Sequence, residues 1–121
     1  ILTGDTTETW LLEDGAKVVG WISVGPSRDA DAAPSTRELY AIYVDPSHWG
    51  GGIGSRLWAE TEIRMRSNAV SSVTLWVLKE NARALRFYQS QQFVVDDAIE
   101  KTVQLGGADL VEIRLRKTFG H

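Results

Sequence analysis

The sequence predicts a single mixed α/β (α+β) domain over residues 1–121, with a sheet flanked by helices. Three observations carry that prediction. The chain opens on β-prone runs broken by turn residues, two later stretches have the apolar spacing of amphipathic helices, and a dense apolar strand stands between them. The resulting order, β-β-β-α-β-α-β-β, describes a mixed α/β sandwich. At 121 residues, with 43% hydrophobic and 24% charged content, the chain has the composition of one soluble globular domain. Five tryptophans (Trp10, Trp21, Trp49, Trp58 and Trp76) supply large apolar surface, so a core forms without disulfide staples.

Each element has a local cause. Residues 6–12 and 18–24 are β-prone, and Asp14-Gly15 between them is a strong hairpin signal. Residues 26–36 are small and polar, which reads as an exposed loop. Residues 37–44 form the next strand, with alternate side chains on opposite sheet faces, so Glu38 shares a face with Tyr40, Ile42 and Val44. Residues 53–66 read as a helix, with Ile53, Leu57 and Trp58 turned inward and Thr61 and Met65 continuing the stripe. Residues 72–78 are a dense apolar strand. Residues 81–91 form the second helix, capped by Asn81 and presenting Ala84, Leu85 and Tyr88. Residues 93–95 and 110–115 complete the sheet and flank a variable stretch containing Gly106-Gly107.

The segment V-D-P-S-H-W-G-G-G-I-G-S-R, residues 44–56, carries the most chemical information. Asp45-Pro46 ends the strand, because proline lacks an N–H and biases its neighbour away from helix. Gly50, Gly51, Gly52 and Gly54 then let backbone N–H groups approach a ligand unobstructed by Cβ atoms. The helix that follows adds unpaired N-terminal donors and the positive end of its dipole. Together these make a site for a phosphate or pyrophosphate. Two better-known loops are excluded: no lysine follows the glycines, and the dinucleotide spacing G-x-G-x-x-G fails at Ser55 and at Leu57. The plain alternative is a tight strand-to-helix turn with no ligand.

Composition excludes several classes. There is no cysteine, so disulfides, thiolate nucleophiles and cysteine metal sites are all absent, which fits a cytoplasmic protein. A net charge of −3 argues against a nucleic-acid binder driven by a basic surface. No run approaches the roughly 20 apolar residues of a membrane span, and the N-terminus has no signal-peptide pattern. No nucleic-acid or membrane partner is therefore expected, and no metal.

A second motif, N-A-R-A-L-R-F-Y-Q-S-Q-Q-F at residues 81–93, joins the glycine loop. In that order and strand context, the pair resembles the GNAT superfamily of acyl-CoA-dependent N-acyltransferases. The likeness runs over residues 8–117. It implies a mostly antiparallel sheet flanked by helices, with acetyl-CoA as co-substrate and a small-molecule or protein amine as acceptor. It implies that the strand residues Ile42, Tyr43 and Val44 pair with the pantetheine arm. Trp49, Gly50, Gly51, Gly52, Ile53 and Gly54, with Ser55, would cradle the pyrophosphate, and Asn81 and Tyr88 would complete the cofactor site. The family usually has Gln or Arg in place of Trp49, so altered packing is expected there. Gln92 replaces a glycine expected at the helix end. The family's usual N-terminal strand and two helices, which form part of the acceptor pocket, are lacking. Either the chain is a fragment, or its acceptor side is built differently, for instance by a partner subunit in a homodimer.

Acyl transfer from a thioester to an amine needs a neutral amine, a polarised carbonyl and a protonated leaving thiolate. Without a cysteine for an acyl-enzyme, direct attack in a ternary complex is the economical route. The resemblance puts Tyr88 at the general acid; on the residues alone it is a packed aromatic beside Phe87. It puts Glu38 where many members carry the carboxylate that accepts the amine proton, often through water; on the residues alone it is a surface charge or a partner of Arg37. His48 reads as a surface residue and His121 as a mobile chain end. Arg83 and Arg86 could touch the cofactor's phosphates; on the residues alone they are ordinary exposed helix arginines. Two functional classes stand: an N-acetyltransferase, or a catalytically silent CoA-binding or scaffolding module.

Overall fold

A computed structural model describes residues 7–120; the expected start of the first run at Thr6, and His121, lie outside the described residues. Six strands, β1 (Glu8–Asp14), β2 (Lys17–Pro26), β3 (Thr36–Val44), β4 (Ser72–Leu78), β5 (Val94–Leu105) and β6 (Ala108–Thr118), form one sheet in the order β1-β2-β3-β4-β6-β5. All neighbours are antiparallel except β3 and β4. Helices α1 (Ile53–Ser67) and α2 (Ala82–Ser90) connect β3 to β4 and β4 to β5. Both crossovers step the same way along the sheet, so right-handed connection places both helices on one face. The core agrees: Leu57, Trp58 and Met65 of α1 cluster with Ile22, Val24, Leu39, Val73, Leu75 and Leu115, and Ala84, Leu85 and Tyr88 of α2 pack against them. Trp58 and Phe93, both nearly inaccessible, meet at a 5.0 Å centroid separation under this layer.

Three features depart from the expectations. The stretch expected to be variable is most of β5, and Gly106-Gly107 is its hairpin turn to β6, with φ of +58° and +81°. The D-D-A-I-E-K composition hides a strand because β5 is an edge, where charge blunts pairing with other chains. Its polar groups find partners across the fold, Lys79 to Glu100 at 2.9 Å and Lys101 to Glu112 at 3.7 Å. Secondly, the loop expected to be exposed begins and ends inside β2 and β3, and its centre is held down on the helix-free face. There Asp29 accepts from the Trp76 indole at 3.0 Å, and Asp29 and Asp31 both pair with Arg114. Thirdly, β3 carries an extra residue. Val24 faces Leu39 but Ser23 faces Ala41, so Tyr40 is a bulge and the alternation inverts there. Leu39, Ile42 and Val44 consequently share the core face, and Glu38 points to the opposite side from Ile42 and Val44. The simple alternation that put them on one face fails because one inserted residue shifts side-chain parity by a full face.

The end of α2 shows what the missing glycine costs. Gln92 takes φ +76° so that the Phe93 N–H can return to the Tyr88 carbonyl at 3.0 Å and the Phe93 ring can enter the core. A side chain in that left-handed conformation costs about 1 kcal/mol. Gln92→Gly is expected to raise stability by about 0.5–1 kcal/mol, read as a higher urea midpoint at unchanged slope. An unchanged or lower midpoint would mean that the glutamine makes compensating contacts.

Candidate active site

The parallel pair β3–β4 is joined over three rungs only, Thr36–Ser72, Arg37–Val73 and Glu38–Thr74. Beyond them the strands part, which leaves the inner edge of β3 without a strand partner from Leu39 to Val44. A cleft of about 490 Å³ opens there, a size that suits a small-molecule ligand. Ile42, Tyr43 and Val44 form one wall; Trp49, Gly50, Gly52, Ile53, Gly54 and Ser55 close one end. Asn81, Arg83, Ala84, Phe87 and Tyr88 of the second motif form the other wall. The two motifs thus meet across one space. Of the strand, loop and motif residues the resemblance assigns to the cofactor, Gly51 is outside the lining, as is the phosphate candidate Arg86.

The loop is shaped by its own hydrogen bonds. The Asp45 carboxylate caps the turn Pro46–His48 by accepting from the Ser47 N–H. Hydrogen bonds accepted from the Lys17 side chain and then from the Ser47 N–H hold Asp45 below the usual carboxylate range. The N–H groups of Trp49 and Gly51 bond the carbonyls of Pro46 and His48. Among the described residues, those of Gly50, Gly52, Ile53, Gly54 and Ser55 have no such partner. Gly52 is the N-cap of α1 with φ +80° and brings no side-chain cap, so the first turn keeps its free donors. A Cβ built on Gly50 or Gly52 would meet no atom within 4 Å, so the space above the loop is open. Free N–H groups, a helix N-terminus and open room fit a phosphate group.

Trp49 does more than fill the position of a polar residue. Its indole N–H donates to the Val44 carbonyl at 2.9 Å, and the Arg83 guanidinium lies 3.6 Å from its ring centroid. His48 lines the cleft's rim instead of lying free at the surface, 3.7 Å from Asp14 and 4.0 Å from Asp45. Asn81 both caps α2, accepting from the Ala84 N–H at 3.1 Å, and lines the cleft. Arg83 enters the lining; Arg86 does not. Ala84 and Phe87 join the lining beyond the residues the motif assigns to the cofactor; both fall on the helical face defined by Asn81 and Tyr88 at three- and four-residue spacing.

Tyr88 sits edge-on to Phe87 and Phe93, and burial raises its phenol to a pKa of about 12. With the pKa raised, the phenol is protonated at neutral pH, and among the described residues its hydroxyl has no hydrogen-bond partner, so its O–H is free for a ligand. Glu38 is elsewhere. It is 1% exposed, outside the cleft lining, on the helix-free face. Its Oε2 accepts from Arg28 Nη2 at 2.6 Å and its Oε1 from the Arg28 backbone N–H at 2.9 Å. It is thus a buried ion-paired carboxylate and not a solvated strand-end charge. Thr74, its partner on the last rung, is equally buried, and its Oγ1 has no hydrogen-bond partner among the described residues.

Comparison with known proteins gives a consistent result. The sequence model of the acetyltransferase (GNAT) family matches residues 2–93. A protein of Mycobacterium tuberculosis named as an N-acetyltransferase is 26% identical over 88% of this chain and 58% of its own length. A mycothiol acetyltransferase of Beutenbergia cavernae is 36% identical over 74% of this chain and 29% of its own length. The crystal structure of a ribosomal-protein-alanine N-acetyltransferase from Brucella melitensis superposes with a TM-score of 0.81 at 28% identity, covering 92% of this chain and 68% of that one. The chain therefore spans between about a quarter and about three fifths of the length of these curated relatives.

Proposed function

Because the chain belongs to the acetyltransferase (GNAT) family, we propose that it transfers an acetyl group from acetyl-CoA to a primary amine by direct attack in a ternary complex. The observation that carries this reading is the parting of β3 from β4 beside a loop whose N–H groups are free. An extended amide chain can add to the open edge of β3 as a further strand would, while a pyrophosphate takes the donors of Gly50, Gly52, Ile53 and Gly54. When bound, acetyl-CoA supplies the activated acyl group as a thioester. Tyr88, protonated at neutral pH, gives its proton to the departing thiolate. A cytoplasmic setting, with either a small-molecule or a protein amine as acceptor, goes with this reading. No helix among the described residues is long and apolar enough to cross a membrane. Titrating CoA calorimetrically, then screening small amines and peptides beginning with alanine for thiol release from acetyl-CoA, tests the proposal. Absence of CoA binding would remove it.

For the amine proton, Glu38 is the proposed acceptor. It stands with Thr74 on the last rung before the strands part, facing the side away from the helices. The acceptor would then approach from that helix-free side. Arg28 must release Oε2 for Glu38 to act, a movement open to a side chain that is 67% exposed. Glu38→Gln is expected to slow transfer at neutral pH and to converge with the wild type at high pH, where the amine is already neutral. Equal loss at every pH would make the carboxylate a structural partner of Arg28. A second reading, a silent CoA-binding module, is favoured by that same Arg28–Glu38 pair and predicts CoA binding with no thiol release for any amine.

A further inference from the structure

We propose that Arg83, stacked on Trp49, is the binding site for the 3′-phosphate of the cofactor's ribose and lets the protein tell CoA from 3′-dephospho-CoA. The inference rests on the cofactor reading above. CoA carries two separate anionic groups, a pyrophosphate and a ribose phosphate. The free N–H groups of the glycine loop suit the pyrophosphate, but they carry no full charge. Residues 45–55 contain neither lysine nor arginine, and Arg83 is the only described residue in the cleft lining with a permanent positive charge.

The placement of Arg83 is hard to explain by helix stability. It lies in the first turn of α2, where the helix dipole disfavours a cation, and that turn holds no acidic residue. Among the described residues its guanidinium makes no salt bridge; the contact it makes there is with the Trp49 ring, 3.6 Å from the centroid. The indole is fixed in turn by its hydrogen bond to the Val44 carbonyl, so the half-exposed ring is an anchored platform and not a free surface group. A guanidinium is planar, and one held over an indole ring has its position fixed while its edge N–H donors remain suited to bidentate contact with phosphate. A dianionic group at this spot would offset both the charge and the unfavourable end of the dipole. Trp49 thereby replaces a polar side chain of the loop with a support for a cation supplied by the opposite wall.

Calorimetric titration of wild type and Arg83→Gln with CoA and with 3′-dephospho-CoA tests this directly. Wild type is expected to bind CoA about tenfold more tightly than 3′-dephospho-CoA, with the preference shrinking as salt is raised. Arg83→Gln should bind both at the level of the wild type with 3′-dephospho-CoA. A variant that retains the preference, or that loses affinity equally for both, would overturn the assignment while leaving the cofactor reading intact. Wild type that binds neither compound would remove the assignment together with that reading.

Discussion

Tyr88→Phe is expected to lower the single-turnover rate of acetyl transfer by about 10²- to 10⁴-fold while leaving CoA affinity within about twofold. The hydroxyl is the only atom removed, and it has no hydrogen-bond partner among the described residues, so packing against Phe87 and Phe93 is retained. Burial pushes the phenol up to about 12, which at first makes it a weak acid for a thiolate. The same poorly solvated cleft disfavours the thiolate anion as well, so the proton affinities of donor and acceptor rise together. The rate should therefore show no loss from Tyr88 ionisation up to about pH 10. Stability carries its own signature. A phenol whose folded pKa exceeds its unfolded value of about 10 stabilises the fold below pH 10, and that contribution is lost as pH rises towards 12. Wild type should thus be more sensitive to alkali than Tyr88→Phe in pH-dependent denaturation. A single-turnover rate within about twofold of wild type would reassign Tyr88 to packing alone.

Arg114→Ala should cost about 3 kcal/mol of folding stability and free the segment between β2 and β3. The Arg114 side chain is 5% exposed and bonds Asp96 at 2.8 Å, Asp29 at 3.2 Å and Asp31 at 2.8 and 2.9 Å. Its removal leaves Asp29 and Asp96, with side chains 14% and 12% exposed, short of their main charge partner. Arg116 still reaches Asp96 and Trp76 still reaches Asp29, and Asp31 is mostly in solvent, so the loss stays below that of a fully isolated buried charge. Urea denaturation measures the cost, and limited proteolysis at residues 27–35 measures the release. A loss below about 1 kcal/mol with unchanged proteolysis would show that the loop is held by other contacts. The hydrogen bond from Arg114 keeps Asp31 below the usual carboxylate range. The loop's attachment should accordingly persist at pH values above the ordinary Asp pKa and weaken only as pH falls through the depressed one.

Much of this was legible in the residues. The glycine loop, the Asp-Pro stop and the Asn81 cap are local devices, in which backbone geometry follows from residues a few positions apart. For that reason α1, α2, β4 and the turn at Pro46–His48 lie where composition and spacing put them, and Ile42, Tyr43, Val44, Asn81 and Tyr88, grouped by the family resemblance, line one cleft. Edge strand β5 was legible only at its start, residues 94 and 95, because a strand that buries little has no apolar alternation to display. The stack of Arg83 on Trp49 was not legible either, since it joins two elements that only the parallel β3–β4 crossover brings together.

The sequence alone determined the fold class and the order of elements, because periodicity and turn chemistry are properties of neighbouring residues; that the two motifs belong to one site was implied only by their resemblance to the acetyltransferase family. The tertiary structure alone decided how Glu38 is placed. One extra residue at Tyr40 turns it from the cleft face, and Arg28, ten residues earlier, meets its carboxylate across the strand pair. It also decided which loop N–H groups stay free, since that depends on which carbonyls the folded turn returns to Trp49 and Gly51. Strand parity and long-range ion pairs are set by register between distant segments, and register is fixed only when the whole sheet closes over one core.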